Sequence, residues 1–115
     1  IAPPADARLA PARELGTRIW RQLLGQLDLS CAQCHDANAG RRLGGSVIPQ
    51  GHPTGYPIYR LEWQGMGTLQ RRLRGCQVGV RAEPWDWDSD EMLALEAFLM
   101  QRAAGMRLET PGVRP

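Results

Sequence analysis

Cys31-Ala32-Gln33-Cys34-His35 decides how the rest of this chain is read. Two thiols separated by two residues, with an imidazole directly after them, have the spacing that attaches haem c. The thiols add across the vinyl groups and the histidine is placed beneath the iron. Cys31, Cys34 and His35 are therefore the expected haem-binding residues, with His35 the proximal iron ligand. Cys-x-x-Cys also serves disulfide redox chemistry and zinc. A zinc ribbon needs a second ligand pair at similar spacing, and the remaining candidates, Cys76 and His52, are far apart and unpaired. Covalent haem is the better reading.

Upstream of the motif, Leu15, Ile19, Leu23 and Leu27 recur every four residues beside Trp20 and Leu24, and Pro11 suits a first helical position. This spacing predicts an amphipathic helix of about 17 residues, roughly 25 Å long. Asp28-Leu29-Ser30 should break it and deliver the chain to the motif on a short helix or turn. Downstream, residues 36 to 58 are punctuated by five glycines and by Pro49, Pro53 and Pro57, so an irregular loop wrapping the haem edge is expected there. Residues 59 to 65 read as a short helical turn. Thr68 can cap a helix carrying Leu69 and Leu73 and running to about Gly75 or Cys76. Residues 77 to 88 read as a loop in which Trp85 and Trp87 cover core or haem. Ser89 followed by Asp90 and Glu91 marks another helix start, with Met92, Leu95, Leu99 and Ala103 as its buried stripe and Gly105 placed to end it. The expected fold class is all-α: a cytochrome c-type domain over residues 10 to 109 with long Gly/Pro-rich loops, a tail or linker over residues 1 to 9, and an unstructured tail over residues 110 to 115.

The chain has 115 residues, 43% of them hydrophobic, enough for one core and too few for two. With two of its three cysteines assigned to haem, one is left over and no disulfide can form. Thioether-bound haem favours an oxidising, extracytoplasmic compartment. Ile1-Ala2-Pro3-Pro4 lacks the basic start and apolar run of a signal peptide, so the chain reads as mature or as cut from something longer. No apolar stretch approaches the ~20 residues of a membrane span. Net charge is +2, and every basic residue is Arg. Acids interleave with most of them and no recognition motif is present, which argues against nucleic acid. Arg71, Arg72 and Arg74 are different: no acid lies between Glu62 and Glu83, and a small anion is the better partner for that segment.

The sixth iron ligand is the open question. Met66, Met92, Met100 and Met106 are available as thioethers, Met66 between two glycines being the most credible, and His52 would give bis-histidine ligation. Arg41 and Arg42 could meet haem propionates or be solvated. Against these stands the leftover Cys76. Thr68, Arg72 and Cys76 fall four apart, so Arg72 and Cys76 share a helix face, and a thiolate there would have positive charge beside it. A buried inert thiol is the other reading of Cys76, and residue chemistry alone leaves the two open.

The run from Leu27 through Ser30-Cys31-Ala32-Gln33-Cys34-His35 to Asp36 is followed by Gly40-Arg41-Arg42-Leu43-Gly44-Gly45, Gln50-Gly51-His52, Tyr56-Pro57, Tyr59-Arg60 and Trp63-Gln64. Arg71-Arg72-Leu73-Arg74-Gly75-Cys76, Val80-Arg81-Ala82-Glu83-Pro84 and Glu109-Thr110-Pro111-Gly112-Val113-Arg114 complete a pattern that, over about residues 13 to 114, resembles the catalytic haem domain of the SoxA family. The resemblance implies a periplasmic sulfur-oxidising enzyme of thiosulfate-using bacteria, an L-cysteine S-thiosulfotransferase. It implies one haem held by Cys31, Cys34 and His35, with Cys76 as second axial ligand, often found as a persulfide, and Arg72 assisting substrate binding or catalysis. The family reaction joins thiosulfate oxidatively to a cysteine of the SoxYZ carrier, electrons passing through haem to a SoxX-like cytochrome subunit. Thiosulfate dehydrogenases, which also use His/Cys haem, are a nearer alternative than a non-enzymatic electron carrier with Met66 or His52 as sixth ligand. Most SoxA proteins carry a further N-terminal cytochrome domain that is not present in these residues.

Overall fold

The computed structural model describes residues 7 to 110 and 112 to 114. The expected tail over residues 1 to 9 thus falls largely outside the described residues, and Ala7–Leu9 form a single 3-10 turn. The first helix, α1, spans Ala10–Arg21 with its proline in the first turn, where a missing N–H costs nothing. It is shorter than its four-residue periodicity suggests. Gln22 is already extended, and Leu23 and Leu27 are 54% and 46% exposed. Beyond it the chain doubles back through a Leu24–Leu29 bridge. Gly25 sits at φ 68°, packed so closely on the backbone at residues 80 to 82 that an added Cβ would lie 2.7 Å from the Ala82 nitrogen. A glycine required to be left-handed at that point ends the helix whatever the leucine spacing says.

Helix α2, Cys31–His35, carries the motif. Helix α3 covers Leu69–Gly79, three residues beyond the expected end, and begins at Thr68, whose hydroxyl accepts from the Arg71 N–H. Helix α4, Asp90–Arg102, starts at Ser89 in the same way and places Asp90 and Glu91 in its first turn, where the helix dipole favours acids. Its stripe Met92, Leu95, Leu99 and, just past its end, Ala103 is buried as expected. The core is the crossing of α4 on α1: Ile19 and Trp20 meet Ala94, Leu95 and Leu99, with Leu15, Leu69, Leu73, Trp85 and Phe98 around them. Gly16 allows the helices to touch, since a Cβ there would be 2.7 Å from the Phe98 Cβ and would overlap the Ala94 carbonyl.

The all-α expectation is corrected by two small sheets. Strands β1 (Arg42–Leu43) and β2 (Ser46–Val47) make an exposed antiparallel hairpin turned by Gly44 and Gly45 within the segment expected to be irregular. Residues 59 to 65 are not a helical turn: β3 (Ile58–Arg60) pairs antiparallel with β4 (Gly65–Gly67). The segment expected to be an unstructured tail contributes β5, Gly112–Arg114, parallel to β3. Two and three residues per strand are too few to declare an alternation in sequence, and the β3–β5 pair joins segments some fifty positions apart, which no local pattern records. No helix among the described residues is long and apolar enough to cross a membrane.

Candidate functional site

Ser30 starts the motif helix with a capping box. The Gln33 N–H donates to the Ser30 hydroxyl at 3.1 Å, and the Ser30 N–H donates back to the Gln33 side chain at 3.0 Å. The residue between the two thiols thus stabilises the turn that presents them. Cys31 packs against the core, and burial, helped by nearby Cys76 and Cys34, pushes its thiol up to about 11. That influence brings the third cysteine within electrostatic range of the first although 45 residues separate them.

His35 is held in the manner of a metal-ligating imidazole. Its Nδ1 lies 2.7 Å from the Pro49 carbonyl oxygen, which can only accept, so Nδ1 carries the proton and Nε2 is left with its lone pair. This bond to Pro49 fixes the tautomer an iron ligand needs, and on this ground the residues present fit a haem. The loop that supplies the carbonyl is itself tied down. Arg102 donates to the Gln50 carbonyl at 3.1 Å, pairs with Asp36 and lies over the Trp20 ring at 4.9 Å. The Trp20 indole N–H donates to Asp36 at 2.8 Å. That indole bond, with help from Arg102, holds the Asp36 carboxyl below its usual range. Gly51 passes directly over this cluster, and a Cβ there would lie 3.0 Å from Trp20 and 3.6 Å from the His35 ring.

Helix α3 carries Arg72 and Cys76 one turn apart. Cys76 is exposed and Arg72 half-buried. The neighbouring arginines are committed elsewhere. Arg71 stacks on Trp63 at 4.3 Å and reaches the Met66 carbonyl, while Arg74 donates to the Trp85 carbonyl and stacks on Trp87 at 4.8 Å. Among the described residues Arg72 makes no ion pair and stacks on no aromatic ring. Burial raises the Tyr56 phenol above its ordinary range; Arg72, acting as charge and as donor, works against that rise, and Cys76 adds to it. Tyr56 thus lies within electrostatic range of both Arg72 and Cys76. Tyr56 also helps to wall a mostly apolar cavity of about 500 Å³ with Pro57, Leu69, Leu93 and Met100, which Cys31, Cys34, His35, Arg72 and Cys76 do not line.

Of the other residues singled out from the sequence, Met66 is 52% exposed on β4, Met92 is core, and Met106 lies beyond the end of α4. His52 is half-buried in the segment after Pro49, and Arg41 and Arg42 are at the exposed hairpin. No three His, Cys, Asp or Glu side chains among the described residues converge as a metal cage would require. Sequence reasoning missed the roles of Pro49, Gly51 and Tyr56. A backbone carbonyl has no residue signature, and Tyr56 reaches α3 only through tertiary folding.

A family model described as "SoxA/TsdA, cytochrome c domain" matches residues 15–108. Among curated proteins, the L-cysteine S-thiosulfotransferase subunit SoxA of Allochromatium vinosum is 40% identical over 97% of this chain and 41% of its own length. The subunit of the same name from Paracoccus pantotrophus is 40% identical over 95% of this chain and 38% of its own length. Among solved structures, the crystal structure of SoxXA from P. pantotrophus superposes with a TM-score of 0.92 at 39% identity, covering 97% of this chain and 42% of that one. The chain thus spans about two fifths of the length of the curated relatives it matches. With motif and relatives in agreement, the chain belongs to the SoxA/TsdA cytochrome c domain family and its prosthetic group is haem c.

Proposed function

We propose that this chain is the catalytic haem domain of an L-cysteine S-thiosulfotransferase, acting in the periplasm on thiosulfate and a SoxYZ-type carrier protein, with a SoxX-like cytochrome as electron partner. One observation carries the reading: an arginine free of ion pairs among the described residues stands one helical turn before an exposed cysteine. Cys31 and Cys34 would anchor haem, and His35 and Cys76 would be its axial ligands. The bound group supplies an acceptor for the electrons that sulfur oxidation releases. Arg72 offers its planar fork to two sulfonate oxygens, a geometry that a lysine lacks. The Cys76 thiolate and the terminal sulfur of thiosulfate form an S–S bond with loss of two electrons. A carrier thiolate then attacks that transferred sulfur, taking the thiosulfonate and returning the Cys76 thiolate. Across both steps the carrier gains one S–S bond, and two electrons leave.

The test supplies the haem-loaded chain with thiosulfate, SoxYZ and an oxidised cytochrome, and follows the mass of the carrier. Conjugated carrier should form and should disappear with Cys76→Ala. The family description also covers TsdA, which favours a second reading in which another thiosulfate takes the carrier's place. Tetrathionate formed as fast without carrier would establish that dehydrogenase. Haem reduction and reoxidation with neither product would leave an electron carrier with Met66 or His52 as sixth ligand.

A further inference from the structure

The bond from His35 Nδ1 to the Pro49 carbonyl is gripped on both of its sides by one residue from a distant helix. Asp36 directly follows His35, the donor of that bond, and Gln50 directly follows Pro49, its acceptor. Arg102, in the last turn of α4, holds both: its Nε donates to the Gln50 carbonyl at 3.1 Å, and its Nη2 donates to the Asp36 carboxylate. His35, Pro49, Gln50, Arg102 and Asp36 thus close a ring whose every link is covalent or a hydrogen bond. Trp20 seats the guanidinium, lying 4.9 Å beneath it while its indole N–H donates to the same carboxylate at 2.8 Å. Farther along, the buried Thr54 hydroxyl donates to Glu109 at 2.9 Å, so the segment that carries the Pro49 carbonyl is tied down at its other end as well.

A guanidinium is planar, and its Nε and Nη2 hydrogens project from one edge at a fixed spacing. Bound to both flanks at once, that edge fixes how far the backbone at His35 stands from the backbone at Pro49. We propose that Arg102 is a positioning residue of the proximal ligand: it keeps the Pro49 carbonyl on His35 Nδ1 and thereby sets how strongly the imidazole donates to haem iron. A hydrogen bond from the far ring nitrogen makes such a ligand more basic, which favours the ferric state. Arg102 makes the α1–α4 crossing, through Trp20 and its own helix, part of the redox control of the haem. This depends on His35 as proximal ligand, and neither on the residue in the sixth position nor on the sulfur chemistry proposed above.

Two variants that preserve charge open the ring from opposite sides in the haem-loaded chain. Arg102→Lys keeps the cation and loses the fork; Asp36→Glu keeps the anion and displaces its oxygens by one methylene. Arg21→Gln, at the exposed end of α1 and outside the ring, removes a cation and is the control for charge alone. The reduction potential is measured by spectroelectrochemical titration, and solvent exchange of the His35 Nδ1 proton is followed by NMR in the reduced, low-spin and therefore diamagnetic protein. Haem absorbance reports whether each variant has folded. Both ring variants should shift the equilibrium toward ferrous iron by about threefold, a rise of ~30 mV at 59 mV per tenfold for one electron. Exchange of the Nδ1 proton should quicken by about tenfold, the scale on which groups behind a metal ligand act. Arg21→Gln should leave exchange unchanged and lower the potential or leave it alone. Wild-type exchange in either folded ring variant would overturn the inference, because a potential that moved by itself would mark Arg102 as no more than a nearby charge. Faster exchange with an unchanged potential would overturn it equally, and if Arg102→Lys folds poorly, Asp36→Glu decides alone.

Discussion

Replacing Arg72 with lysine, beside Arg74→Lys as an internal comparison, separates the two roles that arginines play on α3. Arg72 is half-buried and makes no ion pair or ring-stacking contact among the described residues, so its fork is available to a ligand. Lysine keeps the charge and one directed contact but loses the second parallel bond. A hydrogen bond to a charged group contributes about 1.5 to 3 kcal/mol, and about 1.4 kcal/mol is a factor of ten, so conjugation of thiosulfate should slow by roughly 10- to 100-fold. Arg74 is spent on the Trp85 carbonyl and the face of Trp87, which is 55% exposed. Its loss removes about 0.5 to 1 kcal/mol of cation–π stabilisation and leaves the anion site intact. Arg74→Lys should therefore lower the unfolding midpoint slightly and turn over within about twofold of wild type, the scale on which such contacts vary. The assay is the initial rate of carrier conjugation at subsaturating thiosulfate, with haem content matched by absorbance. Equal rates in the two variants would remove Arg72 from the mechanism.

Two further substitutions probe the frame around the site. Gly16→Ala places a Cβ against the Ala94 carbonyl, a backbone atom that cannot swing aside; overpacking of about 1 to 3 kcal/mol should outweigh the helix propensity of about 1 kcal/mol that alanine gains, so urea unfolding should show a net loss. A variant as stable as wild type would mean that the α1–α4 crossing is looser than described. Gly51→Ala is strained at φ 75° and crowds Trp20 and His35, which should pull the Pro49 carbonyl off the imidazole. A less basic His35 stabilises ferric iron less, so the reduction potential should rise; an unchanged potential would show that the bond to Pro49 does not tune the ligand.

What could be read from the sequence was short-range. Thr68 and Ser89 cap their helices through their own hydroxyls, and the stripe from Met92 to Ala103 is buried, because capping and amphipathic spacing act within a turn or two. The Cys31-to-His35 motif is equally local. The leucine series through Leu23 and Leu27 misled because Gly25 is claimed by the backbone of residues 80 to 82, a tertiary demand that overrides periodicity. The sheets were missed for a related reason: β5 reaches β3 from the far end of the chain, and neither strand is long enough to alternate. In the site, Arg72 and Cys76 share a helix face at a spacing visible in sequence. Tyr56 and Pro49 arrive from a loop whose path is set by Glu109, Thr110 and Arg102, and that path exists only in the folded chain.

Ligation of the iron by His35 and Cys76 is the claim on which the proposed chemistry rests. Low-temperature electron paramagnetic resonance of the oxidised, haem-loaded chain, taken beside Cys76→Ser, tests it most directly. A low-spin thiolate-ligated signal in the wild type that is lost in Cys76→Ser is the result His35/Cys76 ligation requires. The same spectrum in both proteins would contradict it and hand the sixth position to Met66 or His52.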